Sequence, residues 1–291
     1  MSFSAEVKNE LCRIRQKQCC DAAECYGMLA LARSFTDGDI SLLTGHEETA
    51  LRFSQLLRSS FGVDTRISFG GIKVQNMTVS VADEAQRNAL LEKIESQELL
   101  NSIINKECCA AAFLRGAFLA AGSIADPNKG YHMEFVCNSV ETARFLSNVC
   151  RMYCSPLAVS ERGRTAVAYT KDSTVIEDIL TLMNATGHTL EFMNVKIYKD
   201  FRNRINRERN CDTANINKTV EAAIAHRAAI AKLKKSGRLS HLEDDLKMVA
   251  DLREEYPDAS LAELASYTDP PKNKAWINRK LNKLKELAAE E

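Results

Sequence analysis

The chain has 291 residues, enough for two domains, and its 45% hydrophobic and 27% charged residues form an ordinary globular composition that can bury a core. No apolar run approaches the roughly 18 residues that span a bilayer, and the N-terminus lacks a basic stretch followed by an apolar one. We therefore expect a cytoplasmic protein without membrane contact; the balance of 39 basic and 39 acidic residues does not exclude nucleic-acid binding, which depends on how charge is distributed.

Residues 19–35 and 108–124 are two copies of one sequence. Seven of their seventeen positions are identical at an offset of 89, and Glu48-Thr49-Ala50 returns as Glu141-Thr142-Ala143 at an offset of 93. The change of four between the offsets is what a loop insertion produces. Two copies, about 19–97 and 108–186, predict duplicated half-domains related by a pseudo-twofold axis, because a solenoid needs more repeats.

Each copy predicts the same order: a helix, a strand, an amphipathic helix, two strands joined by a turn, and a last helix. In the first copy these elements cover about 21–34, 39–44, 47–61, 63–69, 72–81 and 83–96, with Gly70-Gly71 as the turn. In the second copy they cover about 109–122, 131–137, 140–154, 157–161, 165–169 and 172–185. The predicted fold class is α+β, with sheets on one side and helices on the other.

Gly27 and Gly116 lie inside the first helix of each copy. Glycine inside a helix costs about 1 kcal/mol relative to alanine, so we expect each glycine to let another backbone come close. The simplest arrangement packs the two helices together across the pseudo-twofold axis. The duplicated Cys-Cys pair at each helix start is then interpreted as tight packing near that axis.

The ten cysteines predict neither disulfides nor a metal site. A chain of this length without a secretory signal is expected among reduced thiols. It contains no CxxC pair, and no histidine stands at zinc-ligand spacing from a cysteine pair. Cys150 and Cys154 share a helix face, for which small core residues are favoured over a metal half-site. No cofactor is expected.

Residues 189–237 are predicted as a basic helical linker. The segment 197–205 is amphipathic, and a helix break is expected at Asp212-Thr213-Ala214-Asn215, with a second helix capped by Asn217 or Thr219. The arginines of this linker are candidates for additional DNA contact or for docking between domains, and a solvated helix face is an equal alternative. They are Arg202, Arg204, Arg207 and Arg209.

Residues 238–291 predict a helix-turn-helix domain. After a first amphipathic helix that ends before Pro257, Ser260-Leu261-Ala262-Glu263 reads as a capping box that starts a short helix. Pro270-Pro271 forms a turn, and a last helix begins near Asn273. Its predicted buried stripe is Ile277, Leu281, Leu284 and Ala288.

Charge in this domain points to double-stranded DNA as the partner. Residues 239–269 contain two basic and nine acidic residues, whereas residues 270–285 contain six basic residues and no acidic one. The start of a recognition helix reaches base edges while flanking cations hold phosphates. The candidates for base contact are therefore Asn273, Lys274 and Asn278, and those for phosphate contact are Lys272, Arg279, Lys280 and Lys283. Trp276 is expected in the small core rather than on the DNA backbone.

The stretch from Phe113 to Ile124 resembles a LAGLIDADG helix of homing endonucleases. The resemblance implies that two such helices form a domain interface and that each ends in an acid that binds the catalytic metal. Those positions hold Ala32 and Ala121 here, and an alanine methyl cannot ligate a cation. Asp37 and Asp126 repeat five residues further on but are poor replacements. We therefore expect no enzyme activity.

Several short segments resemble the WhiA family of bacterial regulators: Asn203–Asn206, Asn210–Asn215, Asn217–Val220, Pro257–Leu261 and Asp269–Pro271. The resemblance implies a degenerate LAGLIDADG-like α/β-saddle domain, residues 1–188, joined to the helix-turn-helix. It also implies a nucleoid-associated role in cell division, chromosome segregation or transcription, with sporulation in some lineages. Where the family's last helix opens with a Ser-Lys-Ser-Gly type of sequence, this chain has Asn273-Lys274-Ala275-Trp276.

A second hypothesis is a scaffold for division or nucleoid proteins that binds DNA weakly. Its partners would dock on the N-terminal domain, because residues 1–198 carry a net charge of −3 and residues 199–291 a net charge of +3. Both hypotheses can hold together.

Overall fold

The computed structural model describes residues 2–70, 76–94 and 97–290. The chain separates into two compact units, Met1–Lys199 and Asp200–Glu291, and each has its own buried core. Among the described helices, none has the length and apolar character that a membrane span requires.

The first unit opens with a helix and then repeats one order of elements twice. Helix α1 (Phe3–Cys12) begins at Ser2, whose hydroxyl accepts a hydrogen bond from the Ala5 amide. The first repeat contains α2 (Gln18–Ala30), β1 (Ser34–Phe35), β2 (Ile40–Thr44), α3 (Glu47–Phe61), β3 (Arg66–Gly70), β4 (Asn76–Ser80) and α4 (Glu84–Ile94). After α5 (Gln97–Asn105), the second contains α6 (Glu107–Ala121), β5 (Gly122–Ile124), β6 (Met133–Cys137), α7 (Val140–Tyr153), β7 (Ala158–Arg162), β8 (Thr165–Thr170) and α8 (Ser173–Leu182).

The predicted duplication and α+β class are confirmed, with additions. The sequence did not indicate α1 and α5, and the first helix of each copy was predicted to extend to the first residue of β1 and of β5. These two strands have two and three residues, too few for an alternating pattern to identify them. Three predicted features lie outside the described residues: the second half of the Gly70-Gly71 turn, the start of the strand predicted at 72, and the end of the helix predicted at 96.

Each repeat builds an antiparallel four-stranded sheet with the same strand order. The orders are β1-β2-β4-β3 and β5-β6-β8-β7. Val79 pairs with Leu42 on one side and Ile67 on the other, so these side chains share one face of the first sheet. Leu42 and Val79 are almost fully buried in the core of the first unit. The short β1 and β5 each complete one edge of a sheet.

Helices α2 and α6 pack backbone against backbone. A Cβ atom on Gly27 would overlap the Phe113 carbonyl oxygen, and one on Gly116 would overlap the Glu24 carbonyl oxygen. Only a hydrogen atom fits at either position. The close approach predicted from the two glycines is therefore confirmed, and it is reciprocal, as a pseudo-twofold axis requires.

A buried polar network crosses the same helix pair. The Glu24 carboxylate is fully buried and accepts hydrogen bonds from Arg52 Nε at 2.8 Å and Arg115 Nε at 2.9 Å. Gln16 Nε2 donates a third at 2.6 Å, and Arg115 also donates to the Met183 carbonyl at 3.1 Å. Because every charge has a partner, the network tolerates burial, and loss of one member would leave a buried charge uncompensated.

The second unit is helical. Helix α9 (Thr186–Lys235) begins in the first unit and ends in the second, and a short 3₁₀ helix (Arg238–His241), α10 (Asp244–Glu255), α11 (Leu261–Ser266) and α12 (Lys274–Ala289) follow. The predicted break at Asp212–Asn215 is wrong, because α9 is continuous there. Asp, Thr and Asn favour caps but cost only about 0.7 kcal/mol each inside a helix, and this stretch contains neither glycine nor proline.

Replacing Gly116 by alanine should destabilise the first unit by about 3 kcal/mol, because the new Cβ must push α2 and α6 apart. Urea unfolding followed by circular dichroism measures the change. Gly130→Ala is the matched control, since nothing lies within 4 Å of its added Cβ, and it should change stability by less than about 0.5 kcal/mol. Equal stability of the two variants would contradict the close helix contact.

Candidate nucleic-acid interface

Helix α11 and the turn after it are fixed by side-chain hydrogen bonds. The Ser260 hydroxyl accepts from the Glu263 amide at 3.3 Å and the Glu263 carboxylate accepts from the Ser260 amide at 2.7 Å, which confirms the predicted capping box. In the turn, the Lys272 amide donates to the Thr268 hydroxyl at 2.9 Å and to the Ala265 carbonyl at 3.2 Å. These bonds determine where α12 begins.

Helix α12 buries one stripe and exposes the rest. Its buried residues are those predicted: Ile277, Leu281, Leu284 and Ala288. The helix also packs against α10 and α11, so the remaining surface is held on a small rigid core. A short capped helix, a tight turn and a longer basic helix is the arrangement expected of a helix-turn-helix.

The three candidates for base contact are exposed but differ in what they can offer. Asn273 caps α12, with its Oδ1 accepting from the Trp276 amide at 2.8 Å. Reading adenine takes both an amide acceptor and an amide donor, so in such a contact the Asn273 Oδ1 would be shared between the base and the cap. The side chains of Lys274 and Asn278 have no hydrogen-bond partner among the described residues and remain available.

The four candidates for phosphate contact also differ. Arg279 is exposed and has no ion-pair partner in the described part of the chain, and Lys283 lies 3.5 Å from Glu286. Lys280 instead lies 3.0 Å from Asp245 and 3.4 Å from Glu243 at the start of α10. The hydrogen bond to Asp245 raises the pKa of Lys280. Lys280 therefore joins α12 to α10, and a phosphate would have to compete for it.

Trp276 takes the core position that the sequence reading favoured. The side chain is half-buried and packs against the core of the second unit. The Nζ atoms of Lys272 and Lys280 each lie 5.5 Å from the centre of its ring. Trp276 thus orders two of the basic side chains through cation–π contact.

A basic cleft that the sequence analysis missed lies beside Lys274. It has a volume of about 260 Å³ and is lined by Lys218, His226, Arg253, Ser260 and Lys274 among others. Arg253 is 1% exposed, and its Nη1 donates to the Ala259 carbonyl at 2.7 Å and the Pro257 carbonyl at 3.3 Å. Its Nε has no partner, and no carboxylate neutralises it among the described residues. The charge pattern of the sequence does not indicate this basic cleft, because Arg253 belongs to the acidic helix α10.

His226 is the second buried group of this cleft. It is 3% exposed, and its Nδ1 has no hydrogen-bond partner in the described chain. Burial, Arg253 and Lys285 lower its pKa to about 4. His226 is therefore neutral near pH 7, and the positive charge of the cleft comes from Lys218, Arg253 and Lys274.

The linker arginines form a separate basic surface on α9. Arg202, Arg204, Arg207 and Arg209 are all exposed, and none has an ion-pair partner within the described ranges. The Arg204 guanidinium lies 5.6 Å from the centre of the Phe201 ring. None of the four lines the cleft beside Lys274. Phosphate contact, docking between domains and a solvated helix face stay the predictions for these four arginines.

The positions of the expected metal-binding acids are apolar. Ala32 is fully buried and Ala121 partly buried. Asp37 Oδ1 accepts from the Gly38 amide at 2.8 Å, and Asp126 Oδ1 accepts from the Asn128 amide at 2.9 Å. Both nearby carboxylates therefore stabilise turns.

The sequence matches two models of one family. The model described as the WhiA LAGLIDADG-like domain matches residues 110–202, and the model described as the WhiA C-terminal HTH domain matches residues 205–288. A protein of Heliobacterium modesticaldum named probable cell division protein WhiA is 34% identical over 306 residues, covering 99% of this chain and 96% of the relative. A protein of the same name from Alkaliphilus oremlandii is 35% identical over 310 residues, covering 99% and 97%.

Solved structures of the family share the fold. Full-length WhiA from Thermatoga maritima covers all of this chain and 99% of its own, with a TM-score of 0.61 at 21% identity. The N-terminal LAGLIDADG domain of WhiA covers 64% of this chain and 92% of its own, with a TM-score of 0.51 at 20% identity. The fold is thus a LAGLIDADG-like domain followed by a helical region with a helix-turn-helix.

Stability of the second unit should depend on pH through His226. The fold lowers the pKa of His226 from 6.5 to about 4, so protonation of this residue favours the unfolded state. The free energy of unfolding is therefore highest above pH 6.5 and decreases as the pH falls towards 4. We expect a loss of about 2–3 kcal/mol between pH 7 and pH 4 from this residue.

The fluorescence of Trp276, the chain's one tryptophan, measures unfolding of this unit selectively. Urea midpoints across the pH range give the slope, and His226→Gln is the comparison because it keeps a polar side chain without the titration. The variant should show a flatter slope between pH 6.5 and pH 4. Identical slopes for the two proteins would show that His226 titrates normally.

Proposed function

The chain belongs to the WhiA family, and we propose that it is a DNA-binding regulator of cell division that holds duplex DNA through α12. The observation that carries the proposal is the exposed basic face of α12, fixed by a capped α11 and a hydrogen-bonded turn. Relatives that match over nearly their full length are named probable cell division proteins. Roles in transcription, chromosome segregation or sporulation, and association with the nucleoid, are finer parts of the same proposal.

We assign each DNA contact from the polar or charged groups of the side chain that are exposed and unpaired among the described residues. Lys274 and Asn278 are proposed to read bases in the major groove, because their polar atoms are exposed and unpaired among the described residues. Arg279, Lys283 and Lys272 are proposed to hold phosphates, and Lys280 contributes less because Asp245 and Glu243 engage it. Asn273 acts first as the helix cap. The domain that binds DNA is proposed to be residues 238–291.

The first unit is proposed to lack nuclease activity. Metal-dependent cleavage of a phosphodiester needs acids that bind the cation, and an alanine occupies each of the two equivalent positions. The carboxylates of Asp37 and Asp126 accept hydrogen bonds from backbone amides in turns. Loss of the acids with retention of the helix pair supports a structural or protein-binding role for this unit.

A second candidate function, protein interaction, is favoured by an apolar row on α9. Ile216, Val220 and Ile224 follow one another at four-residue spacing and are 62%, 49% and 62% exposed. Four residues are about one helical turn, so the three side chains share a face. Such a row suits a partner helix, and it can serve alongside DNA binding.

Lys274→Ala and Lys283→Ala should weaken DNA binding in different ways. Lys274→Ala should remove discrimination between a selected site and a scrambled duplex by roughly 1–3 kcal/mol, because a base contact is lost. Lys283→Ala should weaken both duplexes equally and reduce the slope of log affinity against log salt by about one unit at most, because a phosphate contact is lost. Fluorescence anisotropy at several salt concentrations measures both.

Lys247→Ala on α10 is the matched control, since it removes the same charge from a lysine paired with Asp244. It should leave affinity and discrimination unchanged. If both α12 variants behave like this control while circular dichroism shows an intact fold, DNA contacts lie elsewhere. The arginines at 202–209 would then be the next surface to change.

A further inference from the structure

Four cysteines from two distant pairs meet at one point of the first unit. Cys19 and Cys20 are the second and third residues of α2, and Cys108 and Cys109 hold the same places in α6. The packing of the two helices brings all four Sγ atoms within 4.8 Å of one another. Sequence spacing does not indicate this cluster, because no pair has zinc-ligand spacing by itself. The duplication was the available signal, since it places the pairs on the two helices that pack together.

The sulfur spacing fits a single tetrahedral ion. Zn–S bonds of about 2.3 Å place the sulfurs of a tetrahedron about 3.8 Å apart. Cys19 Sγ and Cys20 Sγ are 3.9 Å apart, whereas a disulfide requires about 2.05 Å. An iron–sulfur cluster puts several irons and sulfides between the thiolates and needs a wider separation.

The surroundings suit a negatively charged thiolate group. Each helix starts at a lysine, Lys17 or Lys106, whose side chain provides no cap, so the first-turn amides are not taken by a capping side chain. Helix N-termini stabilise thiolates, and here two of them meet. Cys19 and Cys108 are exposed, so a cation can enter from solvent.

We propose that Cys19, Cys20, Cys108 and Cys109 bind one Zn²⁺ ion as four thiolates. The four thiols release four protons to solvent and form four Zn–S bonds, with no change of oxidation state. The borderline-soft, d¹⁰ zinc ion suits four sulfurs, whereas Mg²⁺ and Ca²⁺ require oxygen ligands. The ion ties the starts of α2 and α6 together across the pseudo-twofold axis, at the ends opposite to Ala32 and Ala121.

Metal analysis of the full-length chain tests the site. Protein purified without chelator should retain about one equivalent of zinc by mass spectrometry. The reduced, demetallated chain should bind one equivalent of Co²⁺ and develop the intense visible bands of tetrahedral cobalt thiolate, and Zn²⁺ should abolish them. Cys19→Ser with Cys108→Ser should lose at least about tenfold in affinity for Co²⁺, because two of four ligands are gone. These two side chains are exposed, which limits the effect on folding.

Cys211→Ser is the matched control, because Cys211 is another exposed thiol outside the cluster, and it should bind both ions as the unchanged chain does. Absence of zinc together with absence of cobalt thiolate bands in the unchanged chain would overturn the proposal, whatever the variants do. Equal cobalt spectra in the unchanged chain and in the Cys19/Cys108 double variant would also overturn it.

Discussion

The first unit depends on one contact, the backbone-to-backbone packing of α2 and α6 at Gly27 and Gly116. Because each glycine faces a carbonyl of the other helix, the two repeats can meet in only one register. That register places Glu24 between Arg52 and Arg115 and brings the two cysteine pairs together at the helix starts. The same register sets the position of each four-stranded sheet, since β1 and β5 follow soon after the two helices.

The two ends of the packed pair α2 and α6 differ in their chemistry. At the ends where the resemblance to homing endonucleases places acids, this chain has Ala32 and Ala121. At the opposite ends it has four thiols. In the second unit, α12 buries one apolar stripe and is capped by Asn273. Most of its basic side chains are exposed, while Lys280 pairs with Asp245 and Lys283 with Glu286.

Features that depend on local sequence patterns or on the internal repeat could be predicted from the sequence. The duplication, the glycine contact, the capping box and the buried stripe of α12 each follow from residues a few positions apart or from two matching segments. The continuity of α9 was missed because capping residues inside a helix cost little. The Glu24 network, the cleft around Arg253 and the cysteine cluster were missed because each joins residues that only the fold brings together. Periodicity carries no information about such long-range polar contacts.

We propose that DNA binding belongs to the second unit. Residues 1–199 and residues 200–291 can be produced separately and titrated against one labelled duplex by fluorescence anisotropy, beside the full chain and at several salt concentrations. We expect residues 200–291 to keep the salt dependence of the full chain. Residues 1–199 should bind at least about tenfold more weakly, because the basic surface is absent. Binding of residues 1–199 as tight as that of the full chain would show that DNA contacts lie in the first unit.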